Sequence, residues 1–241
     1  MIIEISGIPV NIIKKNIKNM HLYVKPPDGH VEVSAPVTLS DESIKLFLRT
    51  KIGWIRTKQS EFDIQLRQSK RQFVSGESFY LWGKKYYLRV KYSNRGNSLI
   101  LNGDEAILTV REGSTSKQRE SWVNDWYREH LKEQIERLLP KWVKVTGLEP
   151  ISWQIKYMTT RWGTCNTQTG KILFNLQLAK KPVECIEYII LHELAHLRVR
   201  NHGKEFIAIM DENMPYWREI RKKLNDSTLD YMKIGNSYAD D

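Results

Sequence analysis

Cysteine is scarce in this chain. Cys165 and Cys185 are its only two among 241 residues, too few for a disulfide framework, so the fold must rest on an apolar core. No apolar run reaches the roughly 18 residues that a membrane-spanning helix requires, and no transmembrane segment is expected. The opening Met1-Ile2-Ile3-Glu4-Ile5-Ser6-Gly7 has neither the basic start nor the long apolar stretch of a secretory signal. It reads as a first β-strand, and the cytoplasm is the expected location. Long blocks of like charge are missing as well. Lys and Arg outnumber Asp and Glu by 38 to 28, a net charge of +10. The basic clusters are nevertheless short, as in Lys14-Lys15, Lys84-Lys85 and Arg221-Lys222-Lys223, and short clusters are usually solvated faces. A glycine-rich phosphate loop of the Walker type is also lacking, which counts against P-loop nucleotide chemistry.

What is present supports a folded, water-facing chain. Hydrophobic residues make up 41% and charged residues 27%, and the length suits one large or two small domains. The basic surplus favours acidic partners, so nucleic acid or a nucleotide bound through a basic surface remains open.

Residues 1–112 look β-rich. Alternation and turn punctuation predict strands at Ile2 to Ser6, Met20 to Lys25, Val31 to Ser34, Lys85 to Tyr92 and Ala106 to Val110, with turns at Pro26-Pro27-Asp28-Gly29, Asn94-Arg95-Gly96-Asn97 and Asn102-Gly103-Asp104. One helix, capped near Ser40 and running past Trp54 toward Arg67, interrupts them. Residues 113–226 look different. A helical stretch from Ser116 to about Val145 puts Trp122, Trp126, His130, Ile135 and Leu138-Leu139 near one stripe, with Pro140 expected to kink or end its first part. A strand from Ser152 to Met158, a polar loop from Thr159 to Asn166 and a second strand from Lys171 to Leu176 follow. Residues 227–241 read as a polar, loosely ordered tail. No internal repeat is evident.

The chemistry lies in His192-Glu193-Leu194-Ala195-His196, followed by His202. The residues before it, Glu184 to Leu191, are apolar at helical spacing, with Pro182 near the start where a missing N–H does no harm. Histidines four apart on a helix lie one turn apart on one face and can reach one metal ion. Glu193, next to the first, can reach a water on that metal and act as general base. His202 would supply a third nitrogen, and three protein ligands leave the open position of a catalytic rather than a structural zinc site. Zinc suits imidazole donors. The spacing from His196 to His202 equals that of the metzincin string, but Val199 stands where that string has glycine, so the turn is expected at Arg200-Asn201. Glu205, Asp211 and Glu212 are the alternative third ligands. Strand, loop, strand and metal helix together form the minimal zincin-type arrangement.

Arg161 precedes the strand expected beside the metal and could bind a carboxylate or phosphate; Arg161, Trp162 and Asn175 are the candidate substrate-binding residues. Strand 171–176 could be an edge that pairs with an extended peptide. Tyr157, Tyr188 and Tyr216 are possible oxyanion donors, and Cys165 reads as a small buried residue.

Arg161-Trp162-Gly163-Thr164-Cys165, Ile172-Leu173-Phe174-Asn175, His192-Glu193-Leu194-Ala195-His196, Asn201-His202-Gly203-Lys204-Glu205-Phe206 and Met214-Pro215-Tyr216-Trp217, with Asp28 to Pro36 and Trp54-Ile55 upstream, resemble the YgjP-like predicted metal-dependent hydrolases. These are relatives of the SprT-like and WLM zincins. The family commonly has serine where this chain has Thr164. The resemblance implies His192, His196 and His202 as ligands, Glu193 as base, and a β-rich N-terminal region packed against a zincin-like α+β domain. SprT-like relatives are linked to proteolysis near DNA, which suits the basic charge. The expectation is therefore a zinc-dependent metallopeptidase acting on polypeptide through a metal-bound water activated by Glu193. The alternatives are a metal-dependent nucleotide phosphohydrolase and a nucleic-acid-associated accessory protein.

Overall fold

The computed structural model describes residues 1–25, 29–65, 71–158 and 161–226. The turn expected at Pro26-Pro27-Asp28, the end of the first helix toward Arg67, the loop start Thr159-Thr160 and the tail 227–241 lie outside the described residues. The chain divides into two compact units, Met1–Lys70 and Arg71–Asp241.

In the first unit four strands precede one helix: β1 (Ile2–Ile5), β2 (Ile8–Lys15), β3 (His21–Lys25), β4 (His30–Pro36) and α1 (Asp41–Gln65). The sheet order is β1-β2-β4-β3, with β2 and β4 parallel and the outer pairs antiparallel. Ser6 and Gly7, both at positive φ (52° and 80°), close the first hairpin, as a tight two-residue turn demands. Period-two alternation buries Ile8, Val10 and Ile12 of β2 and Val31, Val33 and Ala35 of β4, and Ile44, Leu48 and Ile55 of α1 complete this core. The Ser40 hydroxyl accepts from the Ser43 N–H at 3.2 Å, capping α1 as expected.

The second unit starts with the same topology. Strands β5 (Ser78–Leu81), β6 (Lys84–Tyr92), β7 (Ser98–Asn102) and β8 (Glu105–Val110) lead to α2 (Ser116–Thr146). Their order is β5-β6-β8-β7, again with a parallel central pair. Trp82-Gly83, at φ 50° and 81°, closes this hairpin as Ser6-Gly7 closes the other. The four-strands-then-helix plan therefore occurs twice, a repeat of topology not evident in the sequence.

The compact units part at residue 70, whereas the sequence suggested 112. The reason is packing. Phe79, Leu88, Ala106 and Leu108 from these strands share one contiguous core with Tyr127, Leu131 and Ile135 of α2 and with residues further along the chain. The Tyr127 hydroxyl donates to the Tyr80 carbonyl at 2.6 Å, and Trp82 and Gly83 donate backbone bonds to Ala179 and Lys180.

Helix α2 differs from expectation in two ways. Its buried stripe is Val123, Tyr127, Leu131, Ile135, Leu138, Leu139 and Trp142, one position on from Trp122, Trp126 and His130, which flank it half-buried. Pro140 lies inside the helix and does not end it. Burial of Leu138, Leu139 and Trp142 on both sides of the lost N–H holds the helix together there. A Thr115–Gln118 capping box starts it, and Gly147, left-handed at φ 68°, stops it.

Next comes a three-stranded mixed sheet of β9 (Ser152–Lys156), β10 (Gly163–Asn166) and β11 (Lys171–Asn175), in the order β10-β11-β9. A 3₁₀ turn, Leu176–Lys180, leads into α3 (Val183–Arg198), followed by α4 (Lys204–Asn213) and α5 (Trp217–Asp226). The protein is mixed α+β, with small mixed sheets and five helices among the described residues. None of those helices is long and apolar enough to cross a membrane.

Candidate metal centre

Helix α3 is buried on nearly every side from Ile189 to Ala195. Neighbouring β-branched isoleucines are indifferent helix formers, so tertiary burial holds this helix. Onto it the sequence puts His192 and His196, one turn apart. The helix ends at Arg198, and Val199 caps it in extended conformation with its N–H on the Ala195 carbonyl. The chain then turns through residues 200–203, where the sequence expected the turn, and brings His202 back beside the helix.

The three rings converge. His192 Nε2 lies 3.2 Å from His196 Nε2 and 3.2 Å from His202 Nε2, and the three ligand atoms all lie within 4.8 Å of one another. Four-coordinate zinc bonds histidine nitrogen at about 2.0–2.1 Å, which places tetrahedral ligand atoms about 3.3 Å apart. The donor set therefore fits one ion. The ring orientations fit as well. His196 Nδ1 sits 3.0 Å from the Val199 carbonyl oxygen, which only accepts, so this nitrogen carries the proton and the lone pair is on Nε2, toward the other rings. Burial, reinforced by His196 and His202, holds the His192 imidazole well below its usual pKa range; burial also lowers that of His196. Both rings stay neutral at pH 7, the form that binds metal. Phe206 of α4, buried at 2% exposure, packs against all three, with ring centroids 4.9, 4.9 and 4.7 Å from those of His192, His196 and His202.

Glu193 is 1% exposed. It fits only because Gly163, at the start of β10, has no side chain. A Cβ there would lie 2.4 Å from Glu193 Oε1 and 2.7 Å from its Cγ. The carboxylate, His196 and His202 border a cleft of about 510 Å³, lined also by Arg161, residues 163–168 and Arg200.

The family described as YgjP-like, metallopeptidase domain, matches residues 18–227. The chain belongs to this family. It is a metal-dependent hydrolase of the metallopeptidase type. Two solved structures are similar over a smaller part, both metallopeptidase zymogens. Abylysin of Pyrococcus abyssi is 22% identical over 37% of this chain and 90% of its own, with a TM-score of 0.35. Jannalysin of Methanocaldococcus jannaschii is 25% identical over 37% of this chain and 92% of its own, with a TM-score of 0.34. No curated protein matches the chain.

In this YgjP-like protein the rival ligands are engaged elsewhere or point away. Glu205 pairs with Arg198 at 3.2 Å, and Asp211 accepts from Trp217 Nε1 at 2.7 Å and from Arg218. Glu212 is exposed. Neither Trp162 nor Asn175 reaches the cleft as a substrate-binding residue. Trp162 is 2% exposed, in the core, with Lys181 Nζ 5.0 Å from its ring. Asn175 is fully buried: its Nδ2 donates to the Met158 and Arg161 carbonyls at 2.9 and 2.6 Å, and its Oδ1 accepts from Met158 and Gln177 N–H. A buried amide so fully bonded is a brace for Met158 and Arg161. Arg161 alone of the three lines the cleft.

The oxyanion candidates fare no better. Tyr188 is buried and stacks on Trp217, while Tyr157 and Tyr216 are exposed and do not line the cleft. Cys165 does line it, half-buried. Burial pushes its thiol up to about 11, aided by the Glu193 charge, so it is protonated at pH 7 and no nucleophile. Finally, β11 lies between two partners, and the edge strand beside the cleft is β10. Gly163 and Phe206 stand in the family motifs and Arg200 in the expected turn, but the contact of Gly163 with Glu193, the packing of Phe206 on the histidines and the place of Arg200 in the cleft were not read from the sequence.

Proposed function

We propose that this metallopeptidase is a zinc-dependent peptidase of zincin-like architecture that hydrolyses extended polypeptide in the cleft between β10 and α3, with His192, His196 and His202 as ligands and Glu193 as general base. The carrying observation is the convergence of three histidine nitrogens, two of whose rings line one open cleft together with the buried Glu193 carboxylate. His192, His196 and His202 would hold the zinc ion, which would supply Lewis acidity toward water and the scissile carbonyl. Glu193 accepts the proton of the attacking water on its carboxylate and returns it to the leaving amide nitrogen. The floor of Phe206 and the bond from His196 to the Val199 carbonyl fix the ligand rings, so little reorganisation accompanies binding.

Strand β10 offers its backbone to the substrate. As the edge of the sheet it can add an extended peptide by main-chain hydrogen bonds, the role first expected of β11. We assign catalysis to residues 113–226, standing on strands β5–β8. We take the cytoplasm as its location, where two unbridged cysteines are ordinary.

The experiment is hydrolysis of an unfolded polypeptide and of a nucleoside triphosphate, side by side, with and without a chelator. Polypeptide cleavage that chelation abolishes and added zinc restores is the expected result. Phosphate release without peptide cleavage would overturn the proposal.

A further inference from the structure

Cys165 apart, the side chains that line the cleft are polar or charged. Besides the site residues, its walls carry Thr164, Asn166, Thr167 and Gln168 with two guanidinium groups, Arg161 and Arg200. Among its lining residues there is no aliphatic or aromatic side chain apart from the histidine rings. Pockets that select apolar groups are lined mostly by apolar side chains, so this cleft cannot choose its substrate by apolar burial. Charge and hydrogen bonding are what it offers.

The two arginines line the cleft from different elements. Arg161 comes from the segment entering β10, where its carbonyl is held by buried Asn175 at 2.6 Å. Arg200 comes from the turn between α3 and α4. Both are exposed, and among the described residues neither forms an ion pair, although nearby Arg198 is paired with Glu205. The single carboxylate of the lining, Glu193, is 1% exposed. The reachable charge of the cleft is therefore positive, and a divalent ion would increase it.

Resting on the peptidase reading above, we infer that Arg161 and Arg200 determine specificity, and that the substrates are acidic polypeptides with a carboxylate close to the scissile bond. A guanidinium takes a carboxylate through two parallel N–H···O bonds, a geometry lysine or an amide does not reproduce. Edge pairing on β10 would set the backbone register, and the arginines would then read the side chains on either side of the bond.

Binding and cleavage test this separately. Glu193→Gln protein is titrated with a glutamate-bearing peptide, its glutamine counterpart, and C-terminally amidated forms of each. The glutamate peptide is expected to bind roughly ten- to a hundredfold more tightly, with the margin shrinking as salt rises. If amidation weakens binding while the change from glutamate to glutamine does not, the carboxylate recognised is the C-terminal one, and the inference of a carboxylate near the scissile bond is overturned. Equal binding of all four peptides overturns the inference. In cleavage assays, Arg161→Glu with Arg200→Glu is expected to invert the preference toward lysine-bearing peptides, a gain that merely structural arginines would not give. Cleavage without any acid preference sinks the inference and leaves the peptidase reading standing. Acid-selective binding with no peptide ever cleaved by the wild-type protein sinks the peptidase reading and keeps the anion site.

Discussion

Glu193→Gln is expected to keep its metal and its fold and to lose peptidase turnover by about 10²- to 10⁴-fold, the usual contribution of a positioned general base. The amide has the size of the carboxylate and fills the same buried site, so packing in α3 is preserved. It has no lone pair basic enough to take a proton from water at pH 7. Turnover and metal content measured on the same preparation give the answer. Wild-type turnover in this variant would remove Glu193 from the mechanism.

Gly163→Ala is the second large effect. One methyl group is added, yet it would fall 2.4 Å from Glu193 Oε1 and 2.8 Å from its Cδ, well inside van der Waals contact. Gly163 does not need a left-handed backbone, and β10 accepts alanine conformationally, so the effect reports the clash itself. Overpacking of this kind costs about 1–3 kcal/mol, which lowers the melting temperature. More telling is the displaced carboxylate, since misplacing a catalytic group by about 1 Å can cost 10²-fold in rate. Metal content is expected to stay intact, because the atoms nearest the added methyl all belong to Glu193, which is not a ligand. A Gly163→Ala protein of normal turnover would show that Glu193 has room to move and that its present position is not the working one.

These two residues illustrate what was legible in the sequence. The placing of His192 and His196 on one helix face, with Glu193 between them, could be read directly, because a helix converts a four-residue spacing into one face and the apolar run around them announces that helix. The third histidine was also legible, although Val199 replaces the expected glycine: the helix stops at Arg198 in extended geometry and turns over the next residues, so left-handed backbone at 199 is not needed. Gly163 stands in a family motif, but its contact with Glu193 could not be read. Its strand, Gly163-Thr164-Cys165-Asn166, has no alternation, and it is a strand only through pairing with β11. Asn175 was misread because a polar residue near a site suggests contact with substrate; only the structure reveals four hydrogen bonds to its own backbone surroundings. The boundary at residue 70 was missed for a related reason. Strands β5–β8 look in sequence like a continuation of the first sheet, but their apolar faces close on α2 and share a core with α3, a long-range choice no local pattern encodes.

His192, His196 and His202 are expected to hold one metal ion. Elemental analysis of protein purified without added metal, beside a His196→Ala variant, tests it most directly. About one equivalent of zinc in the wild-type protein, absent from the variant, is the predicted result. Wild-type protein that carries no metal and takes up none when zinc is added would contradict it.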